Sequence, residues 1–239
     1  MVADINRLYV GILLVIAVCF AYLFKLDIFL LSIIIFFVLY DLYKSNLINH
    51  FKQISIIIST LIFFFFINEF KFLWNYLYLI QITFIFLTII LSKQRNIFFS
   101  TSICLFCLIL LLINQVDRYI FYLIIGISFF NDTIAYICGS KIKGPLIIPS
   151  ISPKKTWSGT IISFTLSTLV LYILNFNLLF SALTSIFLFL GDIFFSFIKR
   201  SIKVKDFSNS LGNHGGILDR LDSMFFSSIF FQFYLVTYL

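Results

Sequence analysis

The chain has 239 residues, a formal net charge of +7 and a mean hydropathy of +1.10. Hydrophobic residues make up 62% of it and charged residues only 11%. A water-soluble core of this length cannot hide so much apolar surface, which excludes an ordinary soluble domain and leaves lipid as the main solvent.

The first apolar run follows Arg7. It has the outline of a secretory leader, but no small-residue cleavage site follows and more apolar runs do, so it reads as a first transmembrane helix. A helical span needs about 20 mostly apolar residues. By that measure the spans are 8–24, 26–43, 54–68, 72–91, 98–114, 119–138, 157–175, 178–198 and 223–239. The expected fold is all-α: a polytopic transmembrane helical bundle of about nine spans in one integral-membrane domain, 1–239. Within it, 1–118 supplies apolar spans and 119–239 carries the motifs. Phe, Ile, Asn and Lys are abundant together, as AT-rich coding produces, so runs such as LIFFFFI read as apolar filling. Cys19, Cys104, Cys107 and Cys138 all lie in apolar runs and read as small buried side chains, since the C-x-x-C at 104–107 has no second pair or His to complete a metal site.

Loop charges orient the bundle. With the N-terminus in the cytoplasm, cytoplasmic segments hold 14 of the 17 Lys and Arg, and the other side holds only Lys25, Lys71 and Arg118. That is a strong positive-inside bias, expected of a multi-pass protein of the plasma (inner) membrane. It places the two longest connections, 139–156 and 199–222, on one cytoplasmic face. Long, charged, Gly-containing connections in a compact bundle are where function concentrates. The second contains five of the 17 cations and three of the ten acids. His50, in the 44–53 connection, reads as a solvated residue.

Two carboxylates sit inside spans, Asp132 in FFNDTIAYICG and Asp192 in FLFLGDIFFSFIKR. An ionised carboxylate in a span costs several kcal/mol unless it faces a polar interior or a cation. Helical spacing puts Asp192, Ser196 and Lys199 on one face, and Asp132 with Tyr136 on another. Gly191 lets a second backbone approach closely. Together they outline a cavity open to the cytoplasm, with Asp on the membrane side and Lys/Arg at the mouth. Carboxylates with oxygen-rich surroundings suit Mg²⁺ rather than zinc, and carboxylates among cations suit a metal-bound polyphosphate. Gly215 and Gly216 would let backbone amides approach an anion, and Asp219 and Asp222 would share a face if a helix starts there. A basic loop resting on anionic lipid would explain the cations of 199–222 but not its Asp206, Asp219 and Asp222.

The run SFIKRSIKVKDFSNSLGNHGGILDRLD, 196–222, resembles the signature of phosphatidate cytidylyltransferases (CDP-diacylglycerol synthases) at Ser196, Lys199, Arg200, Lys205, Asp206, His214, Gly215, Gly216, Asp219, Arg220 and Asp222. NDTIAYICG, SPKKTWSG and the Gly191-Asp192 pair resemble further blocks of that family, in its order. The resemblance covers roughly 130–222. It implies transfer of CMP from CTP to phosphatidic acid, giving CDP-diacylglycerol and pyrophosphate. It also implies dependence on Mg²⁺, with room for a second cation, and homodimers among its members. It makes Asp192 and Asp219 the metal-binding carboxylates, and sets Asp132, Lys154, Lys155, Lys199, Arg200, Lys205 and Arg220 around nucleotide and phosphates. His214 either orients a phosphate or supports the Gly-Gly turn. The chain departs from the family pattern at Ser158, where Glu is common, at Gly212 and Asn213, where Pro-Gly is usual, and over 140–146.

The chemistry suits these residues. A phosphate oxygen of phosphatidic acid is already anionic at neutral pH, so no strong general base is needed; the task is to bring two anions together. No nucleic-acid partner is expected. The rival readings are a CTP-using enzyme acting on an isoprenoid lipid, an ion-coupled transporter and a non-catalytic relative. The second predicts polar residues spread along the spans, whereas here they gather at one end.

Overall fold

The computed structural model describes residues 15–45, 47, 50–69, 71–153, 155–210 and 215–238. Among them the chain is a bundle of nine helical segments without a named strand. These are α1 (helical over 15–23), α2 (Asp27–Lys44), α3 (His50–Glu69), α4 (Leu77–Ile90), α5 (Arg95–Val116), α6 (Arg118–Ile142), α7 (Trp157–Ile173), α8 (Leu178–Ser201) and α9 (Asp222–Tyr238). A 3₁₀ turn, Lys71–Tyr76, leads into α4. Each apolar run of the sequence thus meets one helix. Three of them, α5, α6 and α8, are both long and apolar enough to cross a membrane by length and composition; α7 and stretches of α3 and α4 are apolar but shorter. His50 is not in a loop: it opens α3, exposed, with its ring stacked on Tyr43 at 4.4 Å.

Local chemistry sets where helices start. Asp117 accepts the amides of Tyr119 (2.8 Å) and Ile120 (3.3 Å) at the head of α6, Thr156 accepts Gly159 N at the head of α7, and Asn177 accepts Leu179 N at the head of α8. Each side chain satisfies amides that the first turn leaves without a partner. Within the helices, Ser and Thr hydroxyls fold back on carbonyls three or four residues earlier, as at Thr88, Ser102 and Ser228. That removes their cost in an apolar setting.

The outer surface is apolar in a way that water would not tolerate: Ile28, Phe29, Phe36 and Phe51 are all largely exposed. The core lies around α5, whose side chains are buried almost throughout. Phe99 of α5 stacks on Phe207 (5.6 Å) and meets Phe195 of α8 edge-on (5.5 Å), and Phe195 meets Phe225 of α9. Some of the Phe filling therefore supports one particular segment, because Phe207 belongs to the 199–222 connection. Cys104 and Cys107 are buried on α5, Cys138 is partly buried, and Cys19 is exposed on α1.

Helix crossings at the loop end are close. A Cβ on Gly191 would strike the backbone of Asp222 and Ser223, and one on Gly159 would strike that of Ala135 and Gly139. Glycine at 191 and 159 lets α8 meet α9, and α7 meet α6, at main-chain distance. Asp192 and Asp222 are neighbours for this reason.

Candidate active site

At one end of the bundle α2, α6, α7, α8, the start of α9 and the two connections 139–156 and 199–222 converge. Lys155 extends from that connection and pairs with Asp192 of α8, each side chain about a quarter exposed (23% and 24%). Asp132 of α6 lies opposite. Its Oδ2 accepts the Ser223 hydroxyl at 3.0 Å, and Ser223 in turn meets Ser128 at 2.7 Å. Asp132, Tyr136, Lys155, Thr160, Ser163 and Asp192 line a cavity of about 240 Å³. A wider groove of about 890 Å³ between α1, α6 and α7 is almost wholly apolar and carries none of these charges.

The second half of the cluster is drier. Lys199 Nζ donates to Asp219 Oδ1 at 3.0 Å and stands 4.0 Å from Asp222 Oδ2, with all three side chains at 12% exposure or less. Lys199 also sits over the Phe207 ring. Asp132, Asp192 and Asp222 are near enough to repel one another, and Lys199 feels Asp192, Asp219 and Asp222 together. Four carboxylates thus surround two ammonium groups. Removing ions from water costs several kcal/mol each, and pairing with good geometry returns only part of it.

The predicted stripe on α8 forms, because the helix runs unbroken through Asp192, Ser196 and Lys199. Asp132 and Tyr136 line one cavity, as their spacing predicts. Asp219 and Asp222 do not share a helix: α9 begins at Asp222, and Asp219 lies in the preceding turn. Both still reach Lys199. Gly215 has φ +81°, a left-handed conformation that favours glycine. The Gly216 amide meets an anion, but it is the chain's own: it donates to Asp219 Oδ2 at 3.0 Å, as does the amide of Phe207. Arg200 is exposed and donates to the carbonyls of Ile151 (3.1 Å) and Val204 (3.3 Å), tying the two long connections together. Lys205 is exposed, Asp206 and Arg220 are half-buried, and Asp206 lies against Gly215. Ser158, at the position of the common Glu, donates to the Lys143 carbonyl. Lys154, Gly212, Asn213 and His214 lie outside the described residues.

One residue of this end was missed by the sequence reading. Asp41 of α2 is fully buried and accepts from Ser208 and Leu218, both in the 199–222 connection. The argument that singled out Asp132 and Asp192 applied to it equally: a carboxylate inside an apolar span requires a partner.

The carboxylates fit Mg²⁺ by donor type, since that ion takes oxygen ligands, commonly one or two carboxylates with the rest from water and phosphate. Asp192 faces the cavity, and Asp219 accepts three hydrogen bonds with capacity for a further contact. A profile described as the cytidylyltransferase family matches residues 5–238, nearly the whole chain.

The chain belongs to the cytidylyltransferase family.

Cytidylyltransferase relatives include the phosphatidate cytidylyltransferase of Rickettsia conorii, 32% identical over 138 residues, covering 51% of this chain and 60% of the relative. That of Aquifex aeolicus is 34% identical over 145 residues, 56% of each. The chloroplastic phosphatidate cytidylyltransferase 4 of Arabidopsis thaliana is 40% identical over 107 residues, 41% of this chain and 27% of the relative. The chain thus spans little more than half the length of the bacterial relatives it matches.

Proposed function

We propose that this cytidylyltransferase transfers CMP from CTP to phosphatidic acid, releasing CDP-diacylglycerol and pyrophosphate. The observation that carries this reading is the Lys155–Asp192 pair facing Asp132 across a cavity of about 240 Å³. That volume suits phosphate groups more than a whole nucleotide, and it lies at the end of the bundle where charge gathers. The names of the relatives supply the substrates.

In this reading a phosphate oxygen of phosphatidic acid attacks the α-phosphorus of CTP. A new P–O–P linkage forms, the bond to the β-phosphate breaks, and pyrophosphate leaves with its electron pair. No proton need move. Lys155 and Lys199 exchange their carboxylate partners for phosphate oxygens, drawing the two anions together. Arg200, Lys205 and Arg220 add positive charge at the mouth, the role that the family motif also gives to Lys154. Asp192 and Asp219 are the residues that would hold Mg²⁺, which supplies charge neutralisation on the phosphates and the leaving group. Asp132 and Asp222 keep the lysines charged and oriented, Asp206 stands against Gly215 beside Asp219, and Ser196 lines the same face of α8. The bundle spans the membrane about nine times, with its N-terminus and both long connections in the cytoplasm, so acyl chains stay in lipid while CTP arrives from water.

The test is purified protein with labelled CTP, Mg²⁺ and either phosphatidic acid or an isoprenoid alcohol. The proposal expects labelled CDP-diacylglycerol from the first. Turnover only with the isoprenoid would replace the lipid substrate. A periplasm-active reporter fused after residue 205 should be silent; activity there would reverse the orientation.

A further inference from the structure

Asp41 belongs to none of the motifs, yet it reaches furthest into them. Its carboxylate is fully buried near the end of α2. Oδ1 accepts the Ser208 hydroxyl at 2.5 Å and Oδ2 accepts the Leu218 amide at 2.8 Å. Ser208 itself accepts the amide of Ser210 at 3.0 Å. A Cβ on Gly216 would run into the Asp41 carboxylate and Ser208 Oγ, so the segment lies directly against this acid. A buried carboxylate is tolerated only where hydrogen bonds replace its water, and bonds to a charged acceptor are stronger than neutral ones.

The segment is therefore closed twice. From inside, Asp219 joins the amides of Phe207 and Gly216. From outside, Asp41 joins Ser208 to Leu218, one residue before Asp219. The inner carboxylate can meet Lys199 in a fixed place only if the segment around it is fixed, and the outer clamp comes from the half of the chain that carries no motif. We infer that Asp41 is a positioning residue for the active site: by holding Ser208 and Leu218 it keeps the turn 215–221 in the place that presents Asp219 and Asp222 to Lys199. As a statement about turnover this rests on the function proposed above; as a statement about the segment it stands alone.

The experiment uses the full chain in lipid nanodiscs. Hydrogen–deuterium exchange is followed over 207–210 and 215–221 without substrates, and turnover is measured with CTP, Mg²⁺ and phosphatidic acid. In Asp41→Ala, exchange over the segment rises at least about tenfold while α6 and α7 are unchanged. Turnover per folded enzyme falls on the order of 10²-fold, mainly in kcat, as expected when reacting groups are misplaced. Asp41→Asn recovers most of both, since its Oδ1 can accept from Leu218 while Nδ2 donates to Ser208 Oγ. Ser208→Ala removes one arm and gives an intermediate effect; it decides the matter if Asp41→Ala does not fold. Unchanged exchange in the variants that fold would overturn the inference. So would raised exchange with full turnover, or Ala and Asn variants whose activity falls only in proportion to lost folded protein. Should the wild type make no CDP-diacylglycerol, the proposed reaction fails, and the exchange measurements still decide whether Asp41 holds the segment.

Discussion

The two ends of the bundle are built from the same side-chain types and come to opposite results. At one end Arg118 donates to Asp27 at 2.7 Å, Tyr122 donates to the same oxygen at 2.6 Å, and the guanidinium lies over the rings of Tyr22 and Tyr122 at 4.8 and 5.4 Å. One cation meets one carboxylate, and the backbone carbonyls of Ala21 and Tyr22, in the last turn of α1, take a further guanidinium nitrogen. This cluster is complete in itself and joins the start of α2 to the start of α6. At the other end Asp132, Asp192, Asp219 and Asp222 gather around Lys155 and Lys199. A structural ion pair is balanced. Among the described residues this end brings four carboxylates to two lysines beside a cavity, and under the proposed function that imbalance separates a ligand-taking end from a fastening end.

The contrast can be broken in four places. The largest effect is expected from Asp192→Asn or Asp219→Asn, each lowering turnover on the order of 10³-fold in the labelled-CTP assay. Normal turnover in both would remove the metal role proposed for them. Lys199→Met comes next. It leaves Asp219 buried without its cation and lowers stability by about 3–5 kcal/mol, read by chemical unfolding, together with a loss of turnover. Arg118→Gln, at the fastening end, lowers Tm by about 2–4 °C and leaves turnover per folded enzyme unchanged. A specific loss of turnover there would mean that the two ends are not separate. The smallest effect is expected from Ser158→Ala, which forfeits two hydrogen bonds, to the Lys143 carbonyl and the Thr156 hydroxyl, each worth about 1 kcal/mol, and leaves turnover within about twofold of wild type.

Much of this was legible because apolar run length is a direct physical signal: among the described residues each of the nine runs meets a helical segment, with most ends shifted by a few residues. The α8 stripe and the Asp132–Tyr136 pair followed from helical spacing alone. What spacing could not show was which groups satisfy each other across the fold. Asp219 reads as an open ligand, but its oxygens are engaged by Lys199, Phe207 and Gly216. The Gly-Gly pair reads as a cradle for substrate, but Gly216 leans on Asp41 and donates to Asp219. Asp41 itself was passed over because it stands in a half read only as apolar filling, although the cost of burying its charge was the same as for Asp132.

The glycine crossings bear on how this chain tolerates change. Most of its membrane surface is interchangeable: a Phe for an Ile facing lipid alters little, and a coding bias can rewrite such positions freely. At Gly159, Gly191 and Gly216 the space left is smaller than one methyl group, with backbone or a carboxylate on the far side. A side chain at any of these three points would push apart the segments that carry the charged residues, so their spacing is set by the absence of a methyl group.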